Sequence, residues 1–571
     1  MENAYEILCS ESPINRHTST TDEARQRVQA MAVAVLSIFA APAHALELDS
    51  GNPDLRLRWD NTVKYSAAAR VRDQFPALVA TPNNDDGDRN FGKGLISNRV
   101  DLFSEFDATY RDFGVRVSGA AWYDGVYHRS TDNTSPISYN AASVSNREFT
   151  KATRNLHGQK AELLDAFVFG KSQFGDTTAT YRVGRHTLLW GESLFFGENG
   201  IAAGQAPIDI VKLLSVPNTQ FKELIRPTNQ LSGQLQVSPS VSFGAYYQLD
   251  WEKSRIPASG SYFSRADLFD AGGERLVIGG PLVPGGGPAA FFRGQDRKAK
   301  DSGQGGLQVR WRPGNGDYDL GFYAINYHDK NPIVHVRPAA GLPNFGSGQI
   351  GTYDLSYAQN IRSYGMSVSR SINETNIAAE VSVRRNTSLV ATGGAVIVLP
   401  GQIADNDDNP LYPVGNSLHA QVSAIQTLER NALWDGGIAM AEVAWNRRTS
   451  TTRNPQNLDP NTTRDAWGIR MLFSPTWYQA YPGLDVSMPI GVGYNPKGTS
   501  SVVTLFNGGW TKGGDLSIGL SGEYLQAWRG GITYTHYFGG EGVVLDAASN
   551  FSFKQSLKDR NFVSLTVQRT F

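Results

Sequence analysis

The last eleven residues of the chain, Asn561 to Phe571, alternate in character. Val563, Leu565, Val567 and Phe571 share one parity with Arg569 as the exception, and Ser564, Thr566, Gln568 and Thr570 share the other. A period of two is the mark of a strand with one apolar and one polar face. Such a strand, finishing on an aromatic residue, is expected to close a membrane barrel by pairing with the first strand. An open edge in hydrocarbon would leave backbone N–H and C=O groups unsatisfied at several kcal/mol each.

That expectation requires the pattern to repeat, and it does. Candidate strands fall at 55–71, 95–110, 115–128, 155–172, 178–190, 230–238, 241–254, 304–312 and 318–328, then at 361–371, 376–386, 417–430, 436–448, 465–474, 483–494, 515–525, 529–538 and 559–571. These make eighteen, with sixteen as the alternative because 230–238 and 304–312 are short. Connections after the even candidates are turn-like, as at Arg111 to Gly114, Pro239-Ser240 and Ile372 to Thr375. Those after the odd candidates are long and rich in Gly, Pro, Asn and Asp. Alternating short and long connections are what an antiparallel outer-membrane barrel shows, with turns on the periplasmic side and loops outside, whereas a soluble sandwich has no reason to alternate.

Single strands agree. In the second, Val100, Leu102, Phe106, Ala108 and Tyr110 oppose Arg99, Asp101, Glu105 and Asp107, and charges at that density must face water. Aromatics near strand ends, Trp59, Tyr110, Tyr123, Trp251, Trp311, Trp445, Tyr524 and Phe538, fit interfacial girdles.

Residues 1–45 read as an export leader. Arg25 and Arg27 precede the apolar run Met31 to Ala41, and Ala43-His44-Ala45 supplies a small-x-small cleavage pattern. The only cysteine, Cys9, lies there, so residues 46–571 hold no thiol for a disulfide, nucleophile or metal. Removing the leader's three Lys/Arg and five Asp/Glu from the 53 and 54 of the whole chain leaves 50 against 49. No basic excess points to nucleic acid. No apolar run of about 18 residues follows the leader, so helical spans are excluded. With only Leu46 to Asp54 before the first strand, no N-terminal plug domain is expected.

Two stretches break the alternation. The fifth strand slips around Gly184 and Arg185, as at a β-bulge. The segment 197–229 contains Ala206 to Leu214 (APIDIVKLL), with Pro207 at a helix start and a dense apolar run. Two readings stand for it: an inward-folded, partly helical plug that narrows the lumen, or an extracellular loop packed on its neighbours.

Catalytic motifs are missing: no G-x-S-x-G, no H-E-x-x-H, and nine scattered histidines. Gly87 to Gly94 resembles a phosphate-binding loop only superficially, since Gly94 stands where the hydroxyl should be and a strand follows. The chain is not expected to be an enzyme or to carry a cofactor. Asp85-Asp86-Gly87-Asp88 and Asp405 with Asp407-Asp408 have the carboxylates a hard cation prefers, but are expected to be solvated acidic loop tips, with no metal assigned.

Ile96 to Asp101 (ISNRVD), Gly184-Arg185-His186 with Trp190-Gly191-Glu192, Pro207-Ile208-Asp209, and Trp528 to Phe538 (WRGGITYTHYF) resemble the proteobacterial outer-membrane family catalogued as domain of unknown function 1302, over essentially all of 46–571. The resemblance implies a single-domain outer-membrane barrel. The family's genomic settings include breakdown of aromatic or steroid-like compounds, or a resistance-nodulation-division type exporter with a periplasmic lipoprotein-like partner. Outer-membrane lipids and the barrel assembly machinery are then partners of the fold itself.

An eighteen-strand barrel is wide enough for an aqueous channel unless loops fill it. The leading expectation is selective diffusion, in the uptake direction, of small partly apolar solutes. Arg99, Asp101, Glu105, Arg182, His186, Glu192, Asp209 and Lys212 would be the polar lining, and Trp190 with Ile208 to Leu214 the apolar side. The alternative is an outer-membrane component that exports lipid-like cargo with an inner-membrane exporter and a periplasmic partner.

Overall fold

The computed structural model describes residues 46–216, 220–314 and 316–571; the expected leader and Cys9 lie outside them. The barrel strands are β1 Leu55–Arg70, β2 Gly94–Tyr110, β3 Phe113–Asp124, β4 Gln159–Phe174, β5 Thr177–His186, β6 Thr228–Ser238, β7 Val241–Gln248, β8 Gly305–Trp311 and β9 Asp319–Tyr327. They continue as β10 Ile361–Ile372, β11 Thr375–Ser388, β12 Val414–Thr427, β13 Gly436–Arg453, β14 Asp465–Tyr481, β15 (Leu484–Ser487 and Ile490–Lys497), β16 Gly514–Tyr524, β17 Trp528–Phe538 and β18 Phe562–Thr570. Each strand pairs antiparallel with its neighbours in the sequence, and the sheet closes where β18 pairs with β1, from Phe562↔Arg70 to Thr570↔Thr62. The result is a closed, porin-like, eighteen-strand barrel.

Sequence chemistry explains details of the wall. β15 is interrupted at Met488-Pro489, where proline has no N–H to give the ladder. Below Thr62, β1 runs on past the end of β18, and Leu46–Leu48 pairs with Leu57 to Trp59 to cover that edge. Two-residue turns Arg111-Asp112, Gly175-Asp176, Pro239-Ser240, Asn373-Glu374 and Pro482-Gly483 join even strands to odd ones. The expected bulge near Gly184 is not one: β4 and β5 pair without a register shift from Ala166↔Arg185 to Phe174↔Thr177. Gly184 instead has φ +121°, and a Cβ there would lie 2.4 Å from the Ala166 carbonyl oxygen, so only glycine fits.

Leu102, Val183, Phe243, Phe322, Met366, Val422 and Ile518 are exposed on the outer face. Apolar exposure around a whole closed sheet suits lipid, not water, and makes this an outer-membrane barrel. No helix among the described residues is long and apolar enough to cross a membrane; the strands do the crossing. Trp59, Tyr110, Trp311 and Tyr524 are exposed at strand ends, as girdle residues should be. Trp251 departs from that expectation. β7 stops at Gln248, so Trp251 lies in a loop, buried edge-on against Tyr357 with ring centroids 4.6 Å apart.

The long loops pack on one another. Arg275–Pro281, Pro288–Arg293, Ile333–Pro338, Gln349–Ser356 and Ala395–Ile397 form a five-stranded mixed sheet beyond the barrel, with two parallel pairings. The first loop turns in at 83–90, where Asp85, Asp86 and Asp88 are buried, which corrects the expectation of a solvated acidic tip. Asp405, Asp407 and Asp408 keep that expectation: none is buried, and Asp405 Oδ1 accepts the Asp407 and Asn409 N–H groups in a local turn.

Candidate functional site

After β5 the chain does not return to the outside but runs through the lumen, over residues 187–216 and 220–227. Two wall carboxylates hold it. Glu380 of β11 accepts the N–H groups of Glu192 at 2.8 Å and Ile201 at 3.0 Å, and the Gln421 amide at 2.9 Å. Glu442 of β13 accepts the N–H groups of Leu194, Phe195 and Phe196 at 3.3, 2.5 and 2.9 Å and the Ser193 hydroxyl at 3.2 Å. Carboxylates on the wall thus satisfy backbone donors that a loop inside a barrel would otherwise leave orphaned. The approach is close: a Cβ on Gly200 would lie 1.9 Å from Glu380 Oε1. Arg384 donates to the Glu198 and Gly200 carbonyls at 2.9 and 2.8 Å.

The expected helix is present, over Ile210–Ser215, and it is capped by Asp209, whose side chain accepts the Lys212 N–H at 3.0 Å, not started by Pro207. Ile210 and Leu213 pack on Ile208, Phe221 and Leu224 in a core belonging to the segment, while Val211, Lys212, Ser215 and Val216 line open space at helical spacing. The inward-folded reading therefore holds.

Since the segment lies against β11 and β13, the free lumen is on the other side. It is a cavity of about 1110 Å³ lined by strands β1–β4 and β14–β18 and by the inner segment. A single row of register partners crosses its wall: Asp485, Glu523, Arg529, Gln568, Lys64, Asp101, Trp122 and Lys160, each opposite the next on the adjacent strand. Barrel strands tilt, so a row of partners climbs the wall. Here it begins beside the periplasmic turn after Tyr524 and ends at the loop side of β3 and β4. All but Lys160 line the cavity.

At the upper end the Arg99 and Arg255 guanidinium carbons lie 4.6 and 5.4 Å from the Trp122 ring centroid. Arg99 pairs with Asp101 at 2.5 Å. Arg255 bridges Asp209, at 2.7 Å, and Glu162, which also faces Lys160 at 3.3 Å and Arg226 at 3.5 Å. This network ties the inner segment to β4 and to the loop after β7.

Of the residues expected to line the pore, Arg99, Asp101, Asp209 and Lys212 come together in this cavity. Arg182 and His186 border a separate, smaller space of about 220 Å³ with Arg116, Asp165 and Phe167; the His186 ring is buried and engaged by Ser232 Oγ at 2.7 Å and the Gly184 carbonyl at 3.0 Å. Three others line neither of these two cavities. Glu105 faces inward but pairs with Arg116 at 3.7 Å. Trp190 is buried edge-on to Tyr246, centroids 5.0 Å apart, between inner segment and wall. Glu192 is held by Arg310 at 3.2 Å.

Lys64, Trp122, Glu162, Arg226, Arg255, Glu380 and Glu442 were not among the expected residues. Trp122 carried a signal, because it shares parity with Asp124 and not with the apolar face of its strand.

Among solved structures, Acinetobacter baumannii OccAB4 is similar over 93% of this chain and 100% of its own, at 9% identity and a TM-score of 0.41. The outer-membrane channel DcaP of A. baumannii is similar over 92% and 99%, at 8% identity and a TM-score of 0.37. Pseudomonas aeruginosa OccK2 (OpdF), in complex with glucuronate, is similar over 90% and 98%, at 10% identity and a TM-score of 0.38. No curated protein sequence matches the chain. One family model, described as protein of unknown function (DUF1302), matches residues 27–571. The chain belongs to the DUF1302 family.

Proposed function

We propose that this barrel is a channel for selective diffusion of small, partly apolar organic solutes, in the uptake direction, and that it works as a conduit without catalysis. The observation that carries the reading is the climbing row from Asp485 to Trp122, which runs beside the cavity from the periplasmic turns to the loop side. Charges of both signs along the row offer successive partners to a polar end group. Val211, Val216 and Trp122 offer apolar surface to the body of the same molecule. The inner segment narrows the lumen, which brings both kinds of surface to bear on one solute. A family setting in aromatic or steroid-like breakdown agrees with a solute of that class.

The row is testable at its midpoint. Lys64 stands between Gln568 and Asp101 in register. Lys64→Glu is expected to move the reversal potential of the purified channel toward cation selectivity under a salt gradient. An unchanged reversal potential would mean that ions do not pass along this row.

A further inference from the structure

Three carboxylates from two loops meet outside the membrane with too little positive charge. Asp85 and Asp86, from the loop after β1, and Asp267, from the loop after β7, each bring an oxygen to within 4.8 Å of the other two. All three are buried, with relative exposures of 0%, 4% and 1%. One guanidinium answers them: Arg89 bonds Asp85 Oδ2 at 2.5 Å. Arg275, which also faces Asp86, gives its donors to the carbonyls of Tyr139, Asn140 and Ala141.

The contrast within one turn is informative. Asp88, next but one to Asp86, is paired with Arg70 at 2.6 Å and faces Arg560. On the other side of the turn, Asp85 Oδ1 and Asp267 Oδ1 are buried with no hydrogen-bond partner among the described residues. Of the three carboxylates only Asp85 has a bonded guanidinium, while Arg275 and Arg560 act on Asp86 and Asp267 from farther off, so negative charge is left poorly compensated in a site from which water is excluded, which is strongly unfavourable. A hard divalent cation removes both problems together: it offsets the negative charge and takes up the unpartnered oxygens.

We propose that Asp85, Asp86 and Asp267 bind a calcium ion that fastens the loop after β1 to the loop after β7. The second of these loops carries Tyr262 and Phe263, which line the upper cavity, so the ion would hold the mouth of the channel in shape.

The test uses residues 46–571 refolded in detergent free of lipopolysaccharide, stripped with a chelator, dialysed against calcium chloride and assayed for bound metal by atomic emission. The barrel's heat-modifiable gel mobility checks that each sample is folded. About one calcium ion per chain is expected, reduced to background in Asp267→Asn and in Asp85→Asn, and retained in Asp405→Asn, whose acidic turn is part-exposed. Folded wild-type barrel that holds no calcium would overturn the proposal, and the carboxyls would then be neutral by protonation. Retention of the ion by either folded variant of the cluster would overturn it equally.

Discussion

Trp122 concentrates the chemistry of the upper cavity in one side chain. Two guanidiniums flank its ring, and Asp101 and Lys160 are its partners in register. A planar or ring-bearing solute with a carboxylate can lie on that surface while an arginine meets its charge. Trp122→Ala is expected to weaken block of channel current by an aromatic carboxylate by about tenfold, the upper size of a ring–ring contact, with little change in open-channel current. Undiminished block would place the solute elsewhere. Arg99 and Asp101 were legible in the sequence because they share the inward parity of a long alternating strand. Arg226 and Arg255 were not, because they sit in irregular backbone where no period says which way a side chain points. Trp190 misled because it follows β5 closely and reads as its continuation, whereas the chain has already turned inward and pressed the ring against the wall.

The inner segment is the element that decides how wide the lumen is, and Glu380 and Glu442 hold it. Each is a carboxylate on the inward parity of a strand whose outward residues are apolar, and that was the available signal. Glu442→Gln keeps the shape but gives up charge-assisted bonds of about 1.5–3 kcal/mol each. Its expected effect is larger, noisier conductance and faster proteolytic cleavage between Ser193 and Ser215. Wild-type conductance and cleavage would show that the segment is held by its apolar core alone. The extracellular loops have a different sensitivity. Burial pulls the His335 imidazole down to about 4 and the His157 imidazole down to about 3, where Nε2 accepts the Ala258 N–H at 3.1 Å. Unfolded loops would titrate near 6.5. The folded loops therefore keep their full stability above that value and lose it as pH falls from 6.5 toward 4. Hydrogen exchange at Ile333–Pro338 is expected to be slow at pH 7, after correction for intrinsic rates, and faster at pH 4. Equal protection at both would contradict neutral, buried histidines. All eighteen barrel strands could be read from their alternation, to within a few residues at most ends. The five-stranded loop sheet could not, because its strands are short and pair partly in parallel, and three of them bury consecutive residues, which leaves no alternation to read.

At the scale of the whole molecule, an outer wall built for lipid encloses a lumen divided lengthwise. One half is filled by the inner segment on β11 and β13, and the other is left open along β1–β4 and β14–β18. Closure of the ladder fixes that division, since every strand position is set by its register with two neighbours. The most direct test is the single-channel conductance of purified, refolded residues 46–571 in a planar bilayer, with and without an aromatic or steroid-like carboxylate. A steady current that the solute reduces is the predicted result. Correctly folded barrel that passes no current would contradict a continuous lumen and mean that the inner segment and the packed loops seal it.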